Sequence, residues 1–334
     1  MKNRSPLNSP ALVAALFLLT SFATVRAQEY PPPGYDRALE LYHQGDNTSA
    51  IEILQKLARE HGNSPDVWNL LGLADYKIAA FAGARQAFDQ LLKSRPDSPD
   101  VHAKLAYTLI LASEPQQATS HAQRAIELGD LSAEPHYALA EASLRAGNFE
   151  KAVAEADQTL KIDSGFGLAL ITRSMALYRL KKYDESIAAL EDYLKAKPDD
   201  PDAEVWREQI KSLQATASRE KPDGPVVIKP SDEETVFTGK DVASKVISKV
   251  RVLEKPEPTY SEPARRAGVT GTIILRAVFA GDGSVKNVFV SQALAYGLTA
   301  KAVQAAKRIK FTPATKNGQS VSMWIELQYN FNLY

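Results

Sequence analysis

The stretch that decides the fold is PDVWNLLGLADYKIAAFAGARQAFDQLLKSRP, residues 65–96. It contains two small residues twelve positions apart, Gly72 and Ala84, each surrounded by large apolar residues such as Leu71 and Phe88. Two antiparallel helices that are joined by a short turn approach closely only where their side chains are small. The stretch therefore predicts a helical hairpin with one small residue on each helix at the contact.

The same pattern recurs along the chain with a period of 34 residues. One column of small residues contains Ala38, Gly72, Ala106, Ala140 and Ser174, and the other contains Ala50, Ala84, Ala118, Ala152 and Ser186. Five repeats run from Pro31 to Asp200 without an insertion, and a period of this length is typical of a helical solenoid. The apolar residues Val205, Trp206 and Leu213 predict a capping helix that ends the array at residue 213.

The second repeat, with Trp68, Leu71-Gly72, Ala84, Phe88 and Pro96, resembles the tetratricopeptide repeat (TPR) family. The resemblance implies a superhelix whose first helices line a concave groove that binds peptides. Eight candidate groove residues follow from their positions in the repeats: Tyr35, Tyr42, Asn69, Tyr76, Tyr107, Tyr137, Tyr178 and Arg179. The alternative is that individual tyrosines pack between neighbouring repeats. The Lys/Asn/Arg set of grooves that clamp a C-terminal carboxylate is absent, so apolar peptide contacts are favoured.

The residues after 236 change to strand periodicity and predict a small α+β domain. The expected order is a strand over 272–279, a hairpin turn over 280–284, a strand over 285–291, and a helix from Thr299 as N-cap to Ile309. A final strand over 321–333 alternates strictly between apolar and polar residues. One face of that strand is expected to pack on the helix while the other meets water.

This module resembles the TonB C-terminal domain family. The resemblance is carried by Pro258-Thr259-Tyr260, Gly271-Thr272, Asp282-Gly283, Leu298-Thr299 and Phe311 to Ala314. It implies peptide binding by strand addition, in TonB proteins to a segment of an outer-membrane transporter. The predicted edge is the terminal strand, with Ser322, Trp324, Glu326, Gln328 and Asn330. The alternatives are that this strand is interior, is already covered, or pairs with a second copy in a homodimer.

The two ends of the repeat array suggest how the chain is organised in the cell. Lys2 and Arg4 precede an apolar run over 11–25 that ends in Val25-Arg26-Ala27, which predicts a signal peptide cleaved before Gln28 and a periplasmic location. The alternative is an uncleaved inner-membrane anchor, for which the run is short. Residues 214–235, with three prolines and charges of both signs, predict a flexible linker between the solenoid and the module over 236–334.

Composition excludes several classes of function. The chain has no cysteine, and all five histidines lie before residue 140, so thiolate chemistry and cysteine-ligated metals are excluded, and neither a metal nor a cofactor is expected. The 40 basic and 40 acidic residues balance, which argues against nucleic acid. No ordered catalytic constellation points to an enzyme or a small-molecule substrate. The sequence predicts a non-enzymatic protein.

The balance of charge conceals an asymmetry between the modules. Residues 28–213 contain 20 basic and 29 acidic residues, a net charge of −9, whereas residues 236–334 contain 14 basic and 6 acidic residues, a net charge of +8. The basic module can favour an acidic partner or a membrane surface, present a solvated face, or dock on the acidic repeats.

Two peptide-binding modules behind an export signal predict an envelope adaptor. The repeat groove would hold one protein and the TonB-like domain another, such as an outer-membrane transporter. The alternative hypothesis is a membrane-anchored energy transducer of the TonB type.

Overall fold

The computed structural model describes residues 31–220, 236–237 and 248–333. Eleven helices come first, followed by a small domain with seven strands and two helices within the described ranges. The predicted fold class, a helical solenoid followed by an α+β domain, is confirmed. The predicted signal peptide and most of the predicted linker lie outside the described residues.

Five helical hairpins build the solenoid from the 34-residue repeats. Their helices are α1 Tyr35–Gln44, α2 Asn47–Glu60, α3 Pro65–Lys77, α4 Phe81–Ser94, α5 Pro99–Leu111, α6 Pro115–Glu127, α7 Glu134–Arg145, α8 Phe149–Ile162, α9 Gly167–Arg179 and α10 Tyr183–Ala196. Both columns of small residues are buried at the helix contacts. In the fifth repeat the hydroxyls of Ser174 and Ser186 lie 2.8 Å apart, so a hydrogen bond joins the two positions that alanine or glycine occupies in the other repeats.

Helix α11, Ala203–Glu220, closes the array. Trp206 and Leu213 are almost fully buried, because they cover the apolar face of the last repeat as a capping helix must. The helix continues past Leu213 through residues 214–220, a segment assigned from sequence to the linker. Its alanines and small polar residues have no strong helix breaker until Pro222, which accounts for the extension.

The C-terminal domain is a mixed sheet with two helices. The strands are β1 Val236–Phe237, β2 Arg251–Glu254, β3 Gly271–Phe279, β4 Val285–Gln292, β5 Lys310–Thr312, β6 Ala314–Lys316 and β7 Gln319–Phe331; the helices are α12 Glu262–Arg266 and α13 Leu298–Ala306. The main sheet has the order β1-β7-β3-β4, with β6 also paired to β7, and β2 pairs with β5 apart from it. The long strands, the hairpin and α13 were predicted, whereas α12 and the four short strands were not.

One local prediction is wrong. Thr299 is not the N-cap of α13: the helix begins at Leu298, Gly297 is the N-cap in a left-handed conformation, and no side chain at that position caps the helix. The Thr299 hydroxyl is buried and instead donates to the carbonyl of Leu294 at 2.7 Å. The free N–H groups at the start of α13 are therefore left for another acceptor, which the repeat array supplies.

No helix in the described ranges combines the length and the apolar character needed to cross a membrane. The apolar run over residues 11–25 lies outside those ranges. His102 and His136 occupy the same position in successive repeats but have different partners. His102 lies against His121, with 2.8 Å between the two Nδ1 atoms, whereas His136 pairs with Glu155 at the same distance.

Candidate protein-binding surfaces

Strand β7 presents an open edge. On one side it pairs with β3 along its length, from Met323 opposite Phe279 to Phe331 opposite Gly271. On the other side β1 pairs in parallel with Ser322 and Met323 only. Among the described strands, none covers residues 324–331 on that side, and we call this segment the open edge.

The backbone of the open edge is directed outward at alternate residues. The carbonyl of Gln328 accepts a hydrogen bond from Nζ of Lys255 at 2.7 Å, so it points away from β3. Because the N–H and C=O of one strand residue lie on the same side and alternate along the strand, Trp324, Glu326 and Asn330 share this direction. The side chains of Glu326, Gln328 and Asn330 are exposed. An incoming strand therefore meets backbone donors and acceptors at these residues.

The predicted edge residues do not all belong to this open edge. Ser322 lies opposite Val236 of β1, is buried, and accepts a hydrogen bond from the N–H of Gly281 at 2.9 Å. It is therefore excluded from the edge, because a two-residue strand that the sequence pattern did not reveal already occupies its pairing position. Trp324 is half-buried, with the Arg276 guanidinium 5.3 Å from its ring centroid.

The predicted groove residues fall into two groups. Tyr35, Tyr42 and Asn69 lie at the N-terminal end of the array and are half-buried. The ring of Tyr42 lies under Nζ of Lys77, 4.2 Å from its centroid. The two tyrosines pack on the small core of the first two repeats.

The central tyrosines form one aromatic cluster. Ring centroids are 6.0 Å apart between Tyr76 and Tyr107 and 5.7 Å apart between Tyr107 and Tyr137, and Phe166 lies 5.1 Å from Tyr137. Burial is the main cause that raises the pKa of the Tyr107 and Tyr137 hydroxyls well above the ordinary value. These hydroxyls stay neutral at physiological pH and act only as hydrogen-bonding groups.

The C-terminal domain occupies the central part of the groove. Tyr296, in the loop before α13, interacts through its hydroxyl with that of Tyr107. Tyr178 of the fifth repeat stacks on Phe289 of β4, with 4.2 Å between ring centroids. A cavity of about 590 Å³ remains between the domains and is lined by residues of both, including Tyr137 and Tyr296. This surface of the repeats therefore holds a partner from the same chain.

Backbone hydrogen bonds fix the docked position near the third repeat. The N–H of Thr270 donates to the carbonyl of Leu111 at 3.1 Å, and its hydroxyl donates to the carbonyl of Ala112 at 3.0 Å. The hydroxyl of Ser113 donates a hydrogen bond to the carbonyl of Thr270 at 2.6 Å. Gly271 follows with a φ of +138°, and a Cβ there would lie 2.3 Å from the Ser113 hydroxyl oxygen. Only glycine permits this approach.

The capping helix supplies the second half of the docking contact. The Asp202 carboxylate accepts hydrogen bonds from the N–H groups of Gly297 at 3.2 Å and Ala300 at 2.7 Å, so it caps α13 from the repeat array. The Gln209 side chain accepts from the N–H of Val290 at 2.9 Å and donates to its carbonyl at 3.4 Å. Both Asp202 and Gln209 are almost fully buried.

Asp202 makes the stability of the protein depend on pH. Burial raises its pKa to about 7, although the two N–H groups oppose the shift, whereas the ordinary value is 3.8. A raised carboxyl pKa means that the folded state binds the proton more tightly than the unfolded state does. The contribution of Asp202 to the free energy of unfolding therefore falls as pH rises from about 4 to about 7, and it stays constant above pH 7. We expect Asp202→Asn to remove on the order of 1 kcal/mol per pH unit from that slope.

The measurement is the free energy of unfolding of wild type and Asp202→Asn in urea between pH 4 and 8. Burial also raises the pKa of Asp75 to about 6, so Asp75 lowers the free energy of unfolding with rising pH in the same direction. Because both proteins contain Asp75, the test is the difference between their free energies of unfolding at each pH. Parallel curves would contradict the role assigned to Asp202.

The residues that join the two domains carry almost no recognisable pattern in the sequence. Thr270, Tyr296, Asp202 and Gln209 belong to no repeated column and to no motif noted above. The opposite charges of the two modules were the available signal, but charge contributes little to the contact: the bridge between Lys307 and Glu208, at 2.8 Å, is exposed.

Comparison with known proteins agrees with both modules. Residues 256–333 match the family described as the Gram-negative bacterial TonB protein C-terminal, and residues 41–107, 103–165 and 137–201 match tetratricopeptide repeat families. Protein TonB2 of Pseudomonas aeruginosa is 32% identical over 82 residues, which are 24% of this chain and 30% of that protein.

Solved structures are similar over the repeats. MamA is 22% identical and covers 49% of this chain and 90% of its own, with a TM-score of 0.41. PilW, a type IV pilus biogenesis factor, is 14% identical and covers 55% of this chain and 85% of its own, with a TM-score of 0.46. YrrB, a TPR protein with an unusual peptide-binding site, is 16% identical and covers 55% of this chain and 94% of its own, with a TM-score of 0.43. The family matches therefore assign residues 41–201 to tetratricopeptide repeats and residues 256–333 to a domain similar to the TonB C-terminal domain.

Proposed function

We propose that this protein is a non-enzymatic adaptor of the bacterial envelope that binds an extended segment of another envelope protein at the open edge of β7. The observation that carries the proposal is the row of outward-directed backbone groups over residues 324–331. Sheet edges of this kind accept a further strand, with the backbone supplying affinity. The similarity to TonB2 supports an envelope location and an outer-membrane transporter as the partner.

The repeats have a different role in this proposal from the one expected from sequence. Their central tyrosines hold the TonB-type domain, so the array presents that domain in a fixed orientation. The N-terminal end of the groove, with Tyr35, Tyr42 and Asn69, remains the surface for a second protein. Half-buried tyrosines, which combine an apolar ring with a polar hydroxyl, suit peptide contacts there.

The test compares two substitutions at one edge residue. Gln328→Pro removes the outward N–H without touching the ladder with β3, whereas Gln328→Ala removes the side chain and keeps the N–H. With synthetic N-terminal segments of outer-membrane transporters as probes, we expect Gln328→Pro to weaken binding at least about tenfold and Gln328→Ala to change it less than about threefold, as for backbone pairing. Fluorescence anisotropy measures the affinities.

The folding control is the thermal unfolding midpoint of each variant. A Gln328→Pro protein that keeps the wild-type midpoint and binds the segments at full strength would refute strand addition at this edge. Proline at Ile325 or Leu327 is unsuitable, because the backbone groups of these residues belong to the ladder with β3.

A membrane-anchored energy transducer is the second candidate, favoured by the similarity to TonB2. The two candidates differ at the N-terminus. Sequencing the N-terminus of the protein isolated from cells distinguishes them, because the adaptor begins at Gln28 whereas the transducer keeps Met1 and fractionates with the inner membrane.

A further inference from the structure

A second concave surface lies where the two domains meet, and Tyr178 is one of the residues that line it. It has a volume of about 690 Å³ and we call it the cationic groove. Four cationic residues line it: Arg179 at the end of α9, Lys181 in the turn that follows, Lys211 on α11 and Arg276 on β3. None of the carboxylates in the described ranges lines this groove. A net positive surface here contrasts with the acidic repeats that supply half of it.

Three of the four cations of the groove form no salt bridge with a carboxylate in the described part of the chain. Most arginines of the repeats pair with a carboxylate, as Arg173 does with Asp157 at 2.6 Å, but none of the salt bridges in the described ranges involves Arg179, Lys211 or Arg276. Glu326 lies opposite Arg276 in the β3–β7 register without forming an ion pair with it. Three cations therefore remain available to an anionic ligand.

Aromatic rings form the walls between these cations. The Arg276 guanidinium lies over Trp324 and donates to the Tyr178 hydroxyl at 3.4 Å. Tyr178 stacks on Phe289, which is buried. Rings that exclude water on one side strengthen the attraction of a nearby cation for an anion, and they also offer faces on which an aromatic side chain can stack.

We propose that the cationic groove binds an extended acidic peptide segment that carries aromatic residues. The positive charge selects the carboxylates, and the ring walls select the aromatic side chains. The shape favours a peptide over a membrane, because the groove is concave and its apolar rings are recessed, whereas a membrane-binding surface projects its apolar groups. Both domains contribute cations, so the site exists only while the domains are docked.

The experiment measures binding of a fluorescein-labelled Glu-Tyr repeat octapeptide to the full chain by anisotropy, with a Gln-Tyr octapeptide as the uncharged control. Arg276→Gln and Lys211→Gln should each weaken binding of the acidic peptide about three- to tenfold, as expected for exposed to half-buried charge pairs. Arg207→Gln is the matched control, because Arg207 lies on the same helix as Lys211, is exposed and pairs with Glu204. It should leave the affinity unchanged.

Further outcomes decide between occupants. Binding should weaken as salt is raised from 50 to 300 mM, since screening shortens the reach of exposed charges. Equal binding of both octapeptides, or equal losses in Arg207→Gln and Arg276→Gln, would overturn the proposal. So would preferential binding to phosphatidylglycerol vesicles over the acidic octapeptide.

One last arm concerns the chain's own acidic run, Asp232 to Glu234. If wild type does not bind the acidic octapeptide but the triple variant Asp232→Asn, Glu233→Gln, Glu234→Gln does, the groove serves this run, and an external peptide is excluded. Loss of strand addition in Gln328→Pro leaves these measurements unaffected, so the two proposals fail separately.

Discussion

The double variant Asp202→Ala, Gln209→Ala should release the TonB-type domain from the repeat array while each part keeps its own fold. These two side chains satisfy the N–H groups of Gly297, Ala300 and Val290 and the carbonyl of Val290. Removing the partner of a buried polar group costs about 1–3 kcal/mol. Partial rehydration of the four groups offsets part of this, which leaves a loss on the order of 3 kcal/mol in the docking free energy.

Hydrogen exchange is the direct measurement of that release. The amides of Val290 and Ala300 should exchange faster in the double variant, whereas amides in the middle of α5 should keep their protection. Thermal unfolding should also separate into two transitions, because the domains no longer stabilise each other. The matched control is Glu208→Ala, which removes an exposed salt bridge to Lys307 and should cost less than about 1 kcal/mol. Unchanged exchange at Val290 in the double variant would refute the assigned docking contact.

The docking also sets the state of the aromatic groove. Tyr107 and Tyr137 are buried in part by the loop that carries Tyr296, so a protein that competes for the central groove must first displace the TonB-type domain. A ligand at the N-terminal end, around Tyr35 and Tyr42, has no such cost. The cationic groove depends on docking in the opposite sense, since separation divides Arg276 from Arg179 and Lys211. The double variant should therefore make the central groove of the repeats more accessible to a competing protein and should weaken the binding of an anionic ligand at the cationic groove.

The repeats were predictable from sequence because their energetics are local and periodic. A helix contact that needs a small residue recurs at every 34th position, so Ala106 or Ala140 can be recognised from the column alone. The hairpin between β3 and β4 was predictable for a similar reason, since Asp282-Gly283 marks its turn. Each of these signals lies within a few dozen residues of the structure it specifies.

The docking contacts were not predictable because they join distant residues through single hydrogen bonds. Thr270 contacts Leu111, and Asp202 caps a helix that begins at Leu298. Such pairs produce no periodic pattern in the sequence. Thr299 has the residue type of an N-cap, but the buried carboxylate of Asp202 accepts the hydrogen bonds at the start of α13 instead. The same reason explains Ser322: the two residues of β1 are too few to carry a strand pattern.

The second large effect is expected at Gly72, in the middle of α3. Replacing a helix-interior glycine by alanine normally stabilises a protein by about 1 kcal/mol. Here a Cβ would lie 2.4 Å from Cε1 and 2.6 Å from Cδ1 of Phe88, a ring that is fully buried. Overpacking a core costs about 1–3 kcal/mol for small additions. We expect Gly72→Ala to be destabilising in spite of its helix propensity, and Gly72→Val to cost on the order of 4 kcal/mol, because it adds a branched side chain against the same ring.

A double-mutant cycle with Phe88→Leu separates the clash from the helix propensity. Leucine shortens the side chain that opposes Gly72, so Gly72→Ala should become neutral or stabilising in that background, with a coupling free energy of about 1–3 kcal/mol. The measurement is the urea unfolding free energy of the four proteins, with equal slopes as evidence that the unfolded states are comparable. If Gly72→Ala stabilises wild type by the full amount expected from helix propensity, α3 and α4 do not meet through this glycine. The close contact that makes the 34-residue repeat a helical hairpin would then have to lie elsewhere.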